Sequence, residues 1–190
     1  MIWTRQKLEK LLSDYNIDTS EWGTGMSKTL QHLFYELIKD ECELYVEDGK
    51  LKRKVEALSV TVFYKDERLI EEYQRMKDGR FRRRILDASV AEKLTKGESD
   101  NLQDAVRRAL EEELGIKNVT DDQITEKGEI DRYVESSQDF PNIPMKLKLY
   151  KFNVNLKFEQ YHPYGYVEHQ EDKDIYFVWV KRKNPLPEKD

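Results

Sequence analysis

The chain predicts an α+β fold, and three observations predict it. Two amphipathic helical stretches open the sequence, segments rich in β-branched and aromatic residues follow and return near the end, and one charged helix lies between them. The order is helices, strands, one helix and strands again, without the regular alternation of a doubly wound sheet.

The first stretch, residues 3–15, places Leu8, Leu11 and Leu12 on one helical face. Residues 16–25 form a turn-rich connection. A second helix is expected from Ser27 or Lys28 to about Leu44, because Leu30, Leu33, Phe34, Leu37 and Ile38 follow the i, i+3, i+4, i+7, i+8 spacing. Glu47-Asp-Gly-Lys50 then makes a turn, and the period changes. Val55–Tyr64 and Leu69–Met76 read as strands. Asp78-Gly79 marks a tight hairpin, and Phe81–Leu86 returns as a strand that continues irregularly towards Leu94.

The charged helix spans roughly Asp100 to Leu114. Asp100 or Ser99 would cap its start, Gln103 would complete a capping box from Asp100, and Gly115 supplies a left-handed stop. Further strands are expected at Gln123–Val134, Met145–Phe158 and Ile175–Lys181. These elements divide the chain into an N-terminal helical extension over 1–46, a main domain over 51–183 and a flexible tail over 184–190.

Composition bounds the function. The 190 residues include 33 basic and 38 acidic side chains, for a net charge of −5. Such a mildly acidic balance argues against a protein whose main work is holding duplex nucleic acid, although local basic patches stay open. A single cysteine, Cys42, offers no internal disulfide framework and fits a reducing compartment. No apolar signal core or membrane-length run is present. The expectation is a soluble, cytoplasmic protein with no membrane partner. The N-terminal helices could mediate a homodimer.

The chemistry concentrates in Arg108-Ala-Leu-Glu-Glu-Glu-Leu-Gly-Ile116. Leu102, Ala105, Val106, Ala109, Leu110 and Leu114 form one apolar stripe. Arg107 and Arg108 stand four residues before Glu111 and Glu112, so both pairs can form along the helix. Glu113 lies beside the stripe, where a carboxylate needs a partner or a cation. Adjacent carboxylates at a helix end, with Glu98 reaching in, would suit Mg²⁺. A solvated helix face with arginine partners explains the same run on composition alone.

The spacing of Gly97-Glu98 and Arg108 to Ile116 resembles the Nudix box, G-x5-E-x7-R-E-U-x-E-E-x-G-U with U apolar; the match over residues 92–116 is degenerate. Arg108, Leu110, Glu112, Glu113, Gly115 and Ile116 match the second half. The resemblance implies a Nudix-type α/β/α sandwich with a mixed sheet. It implies a Mg²⁺- or Mn²⁺-dependent hydrolase that cleaves a phosphoanhydride in a small nucleoside diphosphate derivative. Under it, Glu112, Glu113 and Arg108 are catalytic, and Glu112, Glu113 and Glu98 hold the metal. The sequence departs from the pattern in three ways. Ala109 replaces a metal-binding glutamate, Glu92 stands at the expected glycine, and nine residues instead of seven separate Glu98 from Arg108. The alternative is a catalytically impaired Nudix-fold module that binds a nucleotide or a protein partner.

Other features are secondary. On a strand, Arg82 and Arg84 would share one face and could hold substrate phosphates; a charged, protected edge strand fits them equally well. Tyr161, His162, Tyr164 and Tyr166 crowd one loop that could stack on a base or pack on itself. Glu92, Glu129, Glu168 and Asp172 are the acids that could stand in for the ligand missing at Ala109, with Glu92 preferred. The three histidines have no metal-type spacing.

Overall fold

The computed structural model describes residues 2–25, 27–83 and 88–182. Three α-helices and nine strands are present among them: α1 (Arg5–Asp14), α2 (Leu30–Ile38), β1 (Glu43–Glu47), β2 (Lys50–Tyr64), β3 (Glu67–Met76), β4 (Phe81–Arg82), β5 (Val90–Lys93), α3 (Leu102–Leu114), β6 (Ile124–Val134), β7 (Met145–Asn155), β8 (Tyr166–His169) and β9 (Lys173–Lys181). Neighbouring strands run β6-β7-β2-β3-β9-β8, with β1 and β5 also on β2 and β4 on β3. β1/β2, β2/β3, β3/β4, β3/β9 and β8/β9 are antiparallel. β7 is parallel to β2, because Arg53 N–H donates to Pro144 O and Leu156 N–H to Phe63 O, with both numbers rising together. The sheet is therefore mixed and the class α+β.

Several expected elements form within a residue or two of their expected bounds, and the departures have local causes. β2 begins at Lys50 instead of Val55, because Lys50–Lys54 pair with β1. Helix α2 stops at Ile38 instead of near Leu44. Asp40 turns the chain left-handed at φ 56°, and the residues after it pair as β1, an unforeseen strand. The cap of α3 is Asn101, whose side chain accepts from Asp104 N–H at 3.3 Å, so the box from Asp100 does not form. β7 ends at Asn155, three residues short of Phe158. β8 arises within the tyrosine-rich loop. Only Phe81 and Arg82 of the returning strand are assigned; residues 84–87, like the tail 184–190, lie outside the described residues.

The chain divides into two compact units, 1–57 with 93–100 and 129–149, and 58–92 with 101–128 and 150–190. The first is built around Leu8, Leu12, Leu33, Leu37, Leu51, Phe140 and Ile143, with Trp3, Trp22 and Cys42 packed against them. This unit also buries a charge hub. Glu36 is 5% exposed and receives Lys28 at 2.8 Å, Arg53 at 3.0 Å and Lys93. Burial alone would push the Glu36 carboxyl up; Lys93 and Lys28 outweigh it and hold it below the usual range. Arg53 lies over the Phe140 ring at 4.6 Å.

In the second unit, Leu58, Val60, Val62, Leu69, Phe152, Val154, Ile175 and Phe177 are buried on the strands, and α3 lies against β8. Gly165 precedes β8 at φ 80°, where a Cβ would sit 1.8 Å from the Phe177 carbonyl oxygen. Only glycine fits there. No described helix is long and apolar enough to cross a membrane.

Candidate functional site

Helix α3 is the element that carries the candidate chemistry. Ala105, Val106, Ala109, Leu110 and Leu114 are all buried, as the stripe requires. Gly115, at φ 67°, closes the helix: its N–H donates to Glu111 O at 3.0 Å and Ile116 N–H to Leu110 O at 3.1 Å. This is the glycine-based stop expected from sequence. It sets the last turn so that Glu112 faces solvent and Glu113 is half-buried beside the stripe.

Arg108 is the centre of the arrangement. Its Nη1 lies 2.6 Å from Glu92 Oε1, at the end of β5, and 2.8 Å from Glu112 Oε2, one turn along the same helix. Charge-assisted bonds of this length orient both carboxylates. The Arg108–Glu112 pair was expected. The Arg107–Glu111 pair does not form. Arg107 instead pairs with Asp104 and Asp121 and donates from Nε to Val119 O at 2.9 Å, while Glu111 meets Lys117 at 3.4 Å. Arg107 therefore fastens the helix to the segment after it, and Arg108 pairs with Glu112 of the glutamate cluster.

Ala109 is fully buried in the stripe. A carboxylate at this position would lose its hydration unless a cation met it. Of the four acids that could stand in for it, Glu92 reaches the box arginine. Glu129 pairs with Lys148 at 3.0 Å in the first unit, Glu168 accepts from Gln170, and Asp172 is exposed with its carbonyl accepting Lys77 N–H at 2.9 Å. Glu98 belongs to the first unit, where its carboxylate accepts Thr95 N–H at 2.6 Å.

Among the described residues no group of three or more His, Cys, Asp or Glu side chains is placed to hold a metal ion. Mg²⁺ takes six hard oxygen ligands, several of them usually water. Glu112 and Glu113 supply two adjacent carboxylates, the third expected position is a buried methyl group, and Glu112 already pairs with Arg108. The donor set as it stands does not fit a resident divalent ion.

Arg82 lies on β4 opposite the buried Gln74 and is half-buried, whereas Phe81 and Arg83 face solvent. Arg84 lies outside the described residues. The tyrosine-rich loop mostly packs on its own unit. Tyr161 stacks on Tyr64 at 3.9 Å and donates to Glu67 at 3.0 Å. Tyr166 is buried, its hydroxyl pushed up to about 12 by burial. Tyr164, at 96% exposure, and His162 stay open.

In the first unit a cleft of about 410 Å³ is lined by Trp3, Glu43, Lys54, Thr95, Lys96 and Ser99 among others. Cys42 borders it, with burial first and then Glu36 pushing its thiol up to about 12. Neither this cleft nor the Glu36 hub was foreseen. Their residues are scattered along the sequence, and only the spacing of single charges near apolar runs hints at them.

Two Ap4A hydrolase structures from C. elegans, the second a binary complex, are similar to this chain at 15% and 17% identity. Each match covers 67% of this chain and 80% of the other, with TM-scores of 0.33 and 0.34. A MutT protein from Bacillus halodurans is similar at 16% identity over 67% of this chain and 68% of its own, with a TM-score of 0.33. No family model and no curated protein matches the chain.

Proposed function

We propose that this chain is a Nudix-like module that binds a nucleoside diphosphate derivative and whose hydrolytic centre is impaired. One observation carries the reading. Ala109 is a fully buried methyl where the resemblance expects a metal-binding glutamate, and Glu92, the acid best placed to replace it, is engaged by Arg108. Hydrolysis of a phosphoanhydride needs the charge that builds on the phosphate oxygens to be met. An arginine already shared by two carboxylates meets little of it. Phosphate recognition would fall to Arg82 and Arg84.

The test is thermal melting of the chain with ADP, ADP-ribose and related derivatives, with and without Mg²⁺, alongside product analysis. Stabilisation without product supports the proposal. The absence of stabilisation by every member of the panel overturns it, as does robust Mg²⁺-dependent turnover.

A specific observation favours a second reading, the Mg²⁺- or Mn²⁺-dependent hydrolase. Glu92 and Glu112 meet at one nitrogen of Arg108, and Glu113 follows directly on the helix. Two carboxylates thus meet at one nitrogen, and this reading requires the cluster to rearrange before it could hold a divalent ion. Under this reading turnover is present and falls steeply in Glu112→Gln and Glu113→Gln. Turnover that survived both would remove it.

A further inference from the structure

The outer face of strands β4, β3, β9 and β8 is a sheet surface that neither functional reading uses. Strand register defines it: Phe81 stands opposite Arg75, Tyr73 opposite Tyr176, Tyr176 opposite Val167 and Ile70 opposite Val178. Their neighbours Leu69, Gln74, Ile175 and Phe177 are buried, so these side chains face away from the core. Tyr73 and Tyr176 stack with centroids 4.5 Å apart, and Tyr73 meets Phe81 at 5.8 Å. Phe81 is 68% exposed and Val167 41%. An apolar centre left open in this way, with charge around it, marks an interaction surface.

The charge is divided between the two sides of the face. The β3–β4 turn with its flanks, residues 75–83, holds Arg75, Lys77, Arg80, Arg82 and Arg83 against Asp78. The β8–β9 turn with its flanks, residues 168–174, holds Glu168, Glu171, Asp172 and Asp174 against Lys173 and His169. Both turns lie at the same end of the sheet, where Lys77 N–H donates to Asp172 O at 2.9 Å and Lys77 Nζ meets Asp174 at 2.7 Å. Arg80 pairs with Asp78 at 2.7 Å. These internal pairs leave an excess of each sign: Arg75 and Arg83 are exposed on one side, Glu171 and Asp172 on the other.

We infer that this face is the contact between two copies of the chain, packed sheet to sheet about a two-fold axis. A surface with an apolar centre and opposite charges on its two sides is complementary to itself, which a two-fold contact requires. A ligand of one sign would be repelled by one of the two sides. The charge also fixes the axis. Running parallel to the strands over the Tyr73–Tyr176 pair, it sets β4 of one copy over β8 of the other, with all four turns at one end. The arginine-rich turn of each copy then meets the acidic turn of the other. An axis across the strands would carry the turns of the two copies to opposite ends and lose this match. The stacked tyrosines are already ordered, so docking costs them little side-chain entropy. Four strands about 4.8 Å apart and about eight residues of 3.3 Å along β3 and β9 give a face of roughly 500 Å² per copy. That is the low end for specific interfaces, so the dimer is weak and concentration-dependent.

The test is sedimentation velocity of the full chain from micromolar to near-millimolar concentration. Reversible dimerisation is expected. Phe81→Ser and Val167→Lys should each weaken it roughly ten-fold or more, since every substitution enters a two-fold contact twice. Charge exchange supplies the second arm. Arg75→Glu/Arg80→Glu/Arg83→Glu turns the basic side acidic, and Glu171→Lys/Asp172→Lys turns the acidic side basic. Each of these variants alone should be monomeric, because like charges then meet, and an equimolar mixture of the two should dimerise. All the substituted positions are exposed, and circular dichroism verifies that the variants fold. A parent chain that is monomeric throughout overturns the inference. So does dimerisation unchanged in Phe81→Ser and Val167→Lys, which would place the contact on another surface such as the N-terminal helices. A mixture of the charge variants that stays monomeric overturns it as well. No substituted residue belongs to the nucleotide site proposed above, so failure here is separate from failure of that reading.

Discussion

Arg108 Nη1 lies 2.6 Å from Glu92 Oε1, which ties helix α3 to the end of strand β5. Both side chains are partly shielded from water, so the pair is worth more than an exposed ion pair and less than a fully buried one. Arg108→Ala and Glu92→Gln should each cost about 1–2 kcal/mol. Urea unfolding of the singles and the double should show coupling, because the two share one bond. Strictly additive losses would show that the pair does not hold the helix.

Ala109→Glu restores the glutamate that the box lacks, but at a buried site. The variant should lose about 3 kcal/mol or more without metal. Millimolar Mg²⁺ should recover part of that loss, because a bound cation stabilises only the folded state. Calorimetry with and without Mg²⁺ reads both effects. A variant as stable as the parent in EDTA would place residue 109 nearer to solvent than described.

Gly165→Ala is expected to destabilise by at least about 2 kcal/mol. The added Cβ would meet the Phe177 carbonyl at 1.8 Å on a backbone already at φ 80°. Thermal melts test this, with Gly79→Ala, where the added Cβ meets nothing within 4 Å, as the comparison.

Glu36→Gln leaves Lys28, Arg53 and Lys93 around a neutral amide, and should cost about 3–5 kcal/mol. The pH dependence has a definite sign. The folded carboxyl sits below its ordinary value of 4.5, burial raising it and Lys93 with Lys28 lowering it further. Its stabilisation is therefore present above about pH 4.5 and is lost as pH falls through the lower folded value. Acid unfolding curves of parent and variant should converge at low pH, and a constant gap would exclude the hub as the source.

Cys42 titrates the other way. Burial, then Glu36, pushes its thiol from 9.0 to about 12, with Arg53 and Lys93 partly opposing. The protonated thiol thus favours the folded state below pH 9, and this contribution fades as pH rises from 9 towards 12. At pH 8 a thiol reagent should modify the native chain far more slowly than the urea-unfolded one, since the thiolate is the reactive form. Equal rates would mean an open thiol.

Local signals made much of the architecture legible. The spacing of Leu8 and Leu12 gave α1, and the stripe from Ala105 to Leu114 gave α3 with its Gly115 stop. Turn residues and β-branched runs gave β2, β3, β6 and β9. β1 was hidden because Cys42–Val46 continues the helical pattern of α2, and only pairing with Lys50–Lys54 makes it a strand. β8 was hidden in the same way, since Tyr166–His169 is short and becomes a strand by lying beside β9.

The candidate site divides along the same line. The sequence by itself determined that Glu112 lies one turn from Arg108, that Glu113 borders the apolar stripe and that Ala109 belongs to it, because these follow from the period of a single helix. Only the tertiary structure decided that Glu92 is the acid that reaches Arg108, that Arg107 turns away to Asp121, and that Phe81, Tyr73 and Tyr176 stand in one row. Those contacts join residues 8 to over 100 positions apart. Burial, strand register and the need to pair each charge choose such partners, and none of these is carried by local spacing.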